Sequence, residues 1–558
     1  MKLPRLVLFA MIVLSAAGAQ QTATAAAPDP QATLSYIHSA WETLTRSMTA
    51  CASLVDTKVT TDPILYLPAD VPEPAALAAV KQQCHVRVLR LPRRIEKIGD
   101  VLPEELPAPG LLYLPNPYVV PGGRFNEMYG WDSYFILLGL EADHHEALAK
   151  GIVENFLFEI EHYGGVLNAN RTYYLTRSQP PFLTSMVRAV IENPASFGEG
   201  NAGEAEKRKW LERAYQLASK DYSTWVRPEH RAGETGLARY FDYGTGPVPE
   251  MADDSTYYPD VIRWLLAHPG SGGDDFLVKG PEHPDAAETQ RLKQTSCDAA
   301  QSAVCMKAWE GGYRLSRDFY IGDRAMRESG YDPSNRFGPF SGATHHFAPV
   351  CLNSLLYQYE RDMERFARTL GKKADEAEWA HRAEARNAAI HRYLWVESEG
   401  QFVDYDFVKR THSSYAYITS LYPLWAGVAT QEEAKRVVAK LSLFERPGGL
   451  SMSGTNTGLQ WDEPFGWAPA NWISVAGLER AGFHADAARI SAHFMASVDA
   501  GFAQDGTIRE KYNVVQRDAD VHVSTGYKQN VIGFGWTNSV YLRMRGIVGE
   551  GTARAGNQ

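Results

Sequence analysis

The chain has 558 residues, with 56 Lys and Arg against 66 Asp and Glu, for a net charge of −10. That balance argues against a phosphate-backbone partner, which calls for a strongly basic face, so no nucleic acid is expected. With 44% hydrophobic and 22% charged residues the composition is that of a soluble globular protein, and 13 Trp, 28 Tyr and 22 Phe suit sugar rings as well as a large core.

In chain order, residues 1–26 read as an export signal. Lys2 and Arg5 precede an apolar run from Leu6 to Ala17, and Ala17-Gly18-Ala19 and Ala23-Thr24-Ala25 offer cleavage sites. The run is too short to span a bilayer and no other segment reaches eighteen apolar residues. The expectation is a periplasmic or secreted protein, free of the membrane after cleavage. An oxidising compartment lets the five cysteines pair, most economically as Cys51–Cys84 and Cys297–Cys305 with Cys351 left buried, although other pairings stay open. No cysteine has a CxxC neighbour or a His at ligand spacing, so no zinc site is expected.

Residues 27–105 form an N-terminal extension with a helix over Ala32–Val55 and connections broken by Pro63, Pro68, Pro72 and Pro74. Residues 106–548 form the main domain. Leu355, Met363, Phe366 and Leu370 recur at helical spacing, as do Trp379, Ala383, Ile390 and Leu394. Further helices are predicted at 413–427, 432–443, 470–482, 485–499 and 536–546. Residues 394–406 (LWVESEGQFVDYD) read as two short extended runs joined by a Glu-Gly-Gln turn. Residues 268–310 read as an insertion, and 549–558 as a disordered tail. No alternating βαβ pattern is visible, so the fold class is all-α, with the loops of many hairpins meeting on one face.

Six stretches mix Arg, carboxylates, amides and aromatic rings in irregular loops. They are PGGRFNEMYGWDSYF (121–135), NANRTYYLTRSQPPF (168–182), ESGYDPSNRF (328–337), QWDEPFGWAPANW (460–472), REKYNV (509–514) and GFGWTN (533–538). A sugar needs this mixture, because its C–H faces stack on rings and its hydroxyls need paired donors and acceptors. Taken alone, Asp332 in Asp-Pro-Ser reads as a turn residue, Glu510 as part of a surface charge run, and each Trp as core packing.

Together, in this order, the stretches resemble the signatures of the α,α-trehalase family of glycoside hydrolases, over roughly residues 110–545. The resemblance implies an (α/α)6 barrel with its active site at one mouth. It implies hydrolysis of trehalose to two glucose molecules with inversion, by a monomer acting on a small disaccharide without cofactor or metal. Inversion needs two carboxyl groups about 6.5–9.5 Å apart. By motif position Asp332 is the expected general acid and Glu510 the expected base. Arg124, Trp131, Asp132, Asn168, Arg177, Gln179, Glu250, Gly330, Trp461, Asp462, Trp467 and Trp536 are the expected sugar-binding set. The PGG turn is expected to bring Arg124 to the pocket floor.

Three positions depart from the family. Val248 stands where an arginine is usual, with Arg239 or Arg231 as possible replacements. Cys351 replaces the Asp of Val-Asp-Leu-Asn. The lid at 519–532 is poor in glycine and has Gly526 in place of a glutamate. The alternatives are a hydrolase of another α-linked glucoside and an inactive sugar-binding relative.

Overall fold

The computed structural model of the chain describes residues 29–55, 63–252, 256–280, 309–525 and 529–556. Six helices make a closed inner ring: Gly130–Ala142, Leu183–Glu192, Val350–Leu370, Tyr422–Ala426, Ala468–Arg480 and Gly535–Gly556. Each packs on the next, and the last returns to the first. Gly130–Ala142 is apolar around almost its whole circumference and buries residues from Gly130 to Leu137 without a break, as a helix covered on every side must. Ring closure depends on a small residue. A Cβ at Gly139 would lie 2.2 Å from Ser539 Oγ of the last helix.

An outer layer covers this ring. Glu146–His162, Gly200–Trp225, Lys373–Tyr393, Gln431–Val438 and His484–Asp505 follow inner helices in sequence. Lys373–Tyr393 shows the pattern, burying Trp379, Ala383, Arg386 and Ile390 and leaving the other face polar. The N-terminal helix Pro30–Leu44 packs against His484–Asp505 and Gly535–Gly556, beside the last inner helix. The architecture is the expected (α/α)6 barrel, and no helix among the described residues is long and apolar enough to cross a membrane.

Several expected elements change. The helix expected over Ala32–Val55 is two helices, Pro30–Leu44 and Cys51–Leu54. Asp29 caps the first by accepting from the Gln31 N–H, and Pro30 fits its first turn. It ends because Thr45 and Arg46 turn extended and pair with Val119 and Tyr118. Parallel strands Ile64–Leu67, Arg87–Arg90 and Leu111–Leu112 form a small sheet, with helix Leu77–Cys84 crossing between the first two. This is a βαβ unit the sequence reading did not anticipate. The helix expected at 413–427 shrinks to Tyr422–Ala426 after a 3-10 turn, and the one expected at 432–443 ends at Val438. The hairpin at 394–406 forms as expected, pairing Trp395 with Phe402 and Val396 with Gln401.

Cys51 and Cys84 are disulfide-bonded, joining two helices of the extension. Cys297, Cys305 and most of the 268–310 insertion lie outside the described residues. Cys351 is a buried free thiol. It faces the Arg336 guanidinium at 3.3 Å, and Asp404 supplies the carboxylate, accepting from Arg336 Nε at 2.8 Å and Nη2 at 2.7 Å. The Asp missing at 351 thus has a counterpart from elsewhere in the chain.

Candidate active site

The six stretches meet for a topological reason. The loops containing 121–129, 168–182, 330–349, 453–467 and 507–534 each lead into the N-terminus of an inner helix. The inner helices are parallel members of a ring of hairpins, so these N-termini share one mouth of the barrel. Their unpaired N–H groups and dipoles make that mouth favourable for carboxylates and hydroxyl oxygens.

One wall is aromatic. Trp461 and Trp467 stack at 3.8 Å with 5° between planes. Trp131 lies 5.8 Å from Trp461 and 5.9 Å from Trp536, and Trp536 lies 5.7 Å from Trp467. Tyr331 closes the group at 5.5 Å from Trp131 and 5.2 Å from Trp461. Gly330 is required here twice over. It caps helix Arg317–Ser329 at φ +77°, and a Cβ on it would sit 2.8 Å from the Trp131 ring.

Asp332 follows this wall. Its side chain is 21% exposed and its Oδ2 lies 3.4 Å from Arg327 Nη1. Burial raises the carboxyl to about 7; Arg327 and Arg177 pull it down, while Glu250 and Asp323 push it up. The Gln460 amide donates to the Asp332 backbone carbonyl and fixes the loop. Trp461 N–H adds a 3.2 Å bond to the Pro333 carbonyl.

Glu510 has a different neighbour. Lys511, whose side chain is fully buried, places Nζ 2.7 Å from Glu510 Oε2 and 4.9 Å from the Trp467 ring centre. The Glu510 backbone is clamped by its N–H bond to the Val531 carbonyl and by Trp536 Nε1 donating to its own carbonyl. Asp132, in the first turn of Gly130–Ala142, lies within the field of both groups. Burial lifts its carboxyl well above the ordinary range, and the charges of Glu510 and Asp332 add to that. The three carboxyl groups therefore form one electrostatic cluster.

The remaining expected residues fall into two groups. Arg177 is buried, donates to Glu250 and faces Asp242 at 3.6 Å. Glu250 stays ionised because Arg177 and Arg327 outweigh the effect of its burial. One oxygen of Glu250 and the Arg177 Nε are buried without a hydrogen-bond partner. Gln179 Oε1 accepts from the Trp131 N–H at 2.8 Å, and Asn168 is buried with its carbonyl bonded to the Gly130 N–H. These belong to the mouth.

Two others differ from expectation. Asp462 is wholly buried and spends one oxygen on the Asn335 N–H at 2.8 Å and the Thr457 hydroxyl at 2.7 Å, so it braces the Asp332 loop. Arg124 is not at the pocket floor. It is exposed, donates to Gln529 at 2.9 Å, and lines a surface cleft of about 600 Å³ between Pro30–Leu44 and residues 529–533. No other residue of the expected set lines that cleft. The Pro-Gly-Gly turn that precedes Arg124 leaves it on the outer rim.

Sequence reasoning missed Arg327 and Lys511. Val248 is buried in a satellite core with Tyr257 and Phe340 and presents no charge. Arg239 donates to the Glu229 and His345 carbonyls, and Arg231 to the Val226 carbonyl, so neither replaces the absent arginine. The guanidinium beside Asp332 is Arg327. Its place five residues ahead of Asp332, one helical turn before the Gly330 cap, was the available signal. Lys511 was legible only as a charge flanking Glu510. Gly526 lies outside the described residues.

The comparisons with known proteins agree with this geometry. A family model described as Trehalase matches residues 17–261 and 287–549. Cytosolic neutral trehalase of Saccharomyces cerevisiae is 32% identical over 90% of this chain and 69% of its own length. A cytosolic neutral trehalase of Beauveria bassiana is 35% identical over 79% of this chain and 59% of its own length. The solved structure of neutral trehalase Nth1 from Saccharomyces cerevisiae superposes with a TM-score of 0.74 at 31% identity, covering 93% of this chain and 94% of that one. These relatives are named cytosolic, which overturns the expectation of a periplasmic or secreted protein drawn from residues 1–26, and that expectation is withdrawn. With its barrel, its mouth and these matches, the chain belongs to the trehalase family of glycoside hydrolases.

Proposed function

We propose that Asp332 and Glu510 are the acid and base of the trehalose hydrolysis that family membership assigns to this chain. The observation that carries the assignment is the contrast in their surroundings. Asp332 is held protonated to about pH 7 by burial, whereas Glu510 carries a buried lysine on one oxygen. An acid and a base working at the same pH need their environments pushed apart in this direction.

Asp332 gives its proton to the glycosidic oxygen as the C1–O bond breaks. A water on the opposite face attacks C1, and Glu510 takes the proton that water loses. One glucose departs as the leaving group with its α configuration kept, and the other forms as the β anomer. Trp131, Trp461, Trp467 and Trp536 offer ring faces to the sugar, and Arg177 with Glu250 offers a fixed donor–acceptor pair for its hydroxyls. Every group in this scheme comes from one chain, so no residue of a second copy is needed for the step.

Proton NMR within the first turnovers tests the mechanism. Equal α- and β-glucose from trehalose is expected; only α-glucose would mean retention. The purified chain given maltose and kojibiose in parallel should release far less glucose than from trehalose.

A further inference from the structure

We infer that Asp318, His345 and His346 form a structural binding site for a single transition-metal ion of the zinc type, away from the catalytic mouth. Asp318 is in the first turn of Arg317–Ser329, which Ser316 caps by accepting from the Phe319 N–H. The two histidines end the 3-10 turn Thr344–His346, which packs on that helix. His345 Nε2 lies 2.9 Å and His346 Nε2 3.7 Å from the same oxygen, Asp318 Oδ1. One ligand atom from each of the three lies within 4.8 Å of the others. Tetrahedral zinc with its ligands at 2.0–2.2 Å separates them by about 3.3 Å, so the observed distances bracket what a bound ion requires.

The donor set selects the ion. Two imidazoles and one carboxylate suit Zn²⁺, Ni²⁺ or Cu²⁺, whereas Mg²⁺ and Ca²⁺ prefer a shell of oxygens. Both Nε2 atoms already face the same carboxylate oxygen, so the three ligand atoms converge on one point. Access is open. The His345 side chain is 6% exposed, but His346 is 26% and Asp318 50% exposed, leaving room for an entering ion and its waters.

A positive charge acting on His345 is Arg239, which donates to the His345 carbonyl and rests over the Phe241 and Phe407 rings. A cation here would tie the start of Arg317–Ser329 to the 344–346 turn. From Asp318 to the helix end at Ser329 is eleven residues, roughly 17 Å at helical rise, and Asp332 lies beyond that end. The ion therefore acts on stability rather than on the bond-breaking step, and the inference stands whether or not Asp332 is the acid.

The test uses the full chain, free of any histidine tag and stripped with EDTA. Titration calorimetry with ZnCl2 should give one saturable equivalent, and Zn²⁺ but not Mg²⁺ should raise Tm by a few degrees. Asp318→Asn and His346→Ala alter partly exposed side chains and should fold as wild type without metal, by circular dichroism. Each should weaken zinc binding by about 10–100-fold or more. His162→Ala, which removes a half-buried imidazole paired with Asp70 elsewhere, should leave it unchanged. The inference is overturned by no saturable binding, or by Asp318→Asn and His346→Ala binding zinc as wild type does.

Discussion

Arg327 lies 3.4 Å from Asp332, yet the carboxyl it faces is held up at about 7 rather than pushed down. An adjacent guanidinium ordinarily lowers an aspartate. Here Arg327 is shared, with Nε 3.3 Å and Nη2 3.4 Å from Asp323. Burial and the charges of Glu250 and Asp323 outweigh the attraction that remains. Arg327 holds the Asp332 carboxyl in place without ionising it.

The first expectation concerns Asp332→Asn. Loss of a general acid costs roughly 10²–10⁴ in rate, so kcat on trehalose should fall by about that much. Turnover close to wild type would remove Asp332 from the mechanism.

The same variant should be more stable than wild type, increasingly so at high pH. The Asp332 carboxyl sits near 7 in the folded chain, above its unfolded value of about 3.9. Its contribution to stability is fully present below pH 4 and lost as pH rises through 7. Asparagine cannot ionise, so the Tm gain should be larger at pH 8.5 than at pH 4.5, equivalent to a few kcal/mol at most. Thermal melts across that range decide it, and an equal difference at both ends would contradict the assignment.

Glu250→Gln should move the alkaline limb of the kcat profile to lower pH. The Glu250 charge helps hold the proton on Asp332, so its removal lets Asp332 ionise earlier. The limb is expected below its wild-type midpoint near 7, and a limb that stays put would mean another group sets it.

Lys511→Met should lower kcat on trehalose by about 10-fold or more, with the fold unchanged by circular dichroism. The buried Lys511 Nζ lies 2.7 Å from Glu510 Oε2 and 3.3 Å from the Gln529 carbonyl, so it fixes the carboxylate in place. Losing one charge-assisted hydrogen bond is worth roughly 1.5–3 kcal/mol. A kcat equal to wild type would show that Glu510 keeps its position without the lysine.

Gly330→Ala should cost about 1–3 kcal/mol, from a positive φ and from a methyl driven against the Trp131 ring. Displacing that ring disturbs the aromatic wall of the mouth, and on the proposed sugar-binding role KM should rise more than kcat falls. A Tm and KM equal to wild type would show that the loop relaxes freely.

The long helices were legible because their stripes are regular. Leu355, Met363, Phe366 and Leu370 are all buried, as their spacing predicts. The small parallel sheet was not, because four residues of Ile-Leu-Tyr-Leu carry no period and their pairing partners lie twenty or more residues away. The break at Thr45 came from a tertiary contact with Val119 that no local pattern records. At the site, motifs placed Asp332, Glu510 and the four tryptophans at one mouth. They did not reveal that Asp462 braces the loop, that Arg124 faces outward or that Arg327 is the arginine beside Asp332, since each depends on side-chain direction.

The seam between Gly130–Ala142 and Gly535–Gly556, tight at Gly139 and Ser539, joins the first inner helix of the ring to the last. During synthesis the first strip of barrel wall therefore waits for a partner made some 400 residues later. At ribosomal rates of about 5–20 residues per second that delay is roughly 20–80 seconds. Throughout it the apolar flank of Gly130–Ala142 is a hydrophobic surface open to chaperones and to neighbouring nascent chains. The barrel of this enzyme thus closes only after Gly535–Gly556 has been made and can meet Gly130–Ala142.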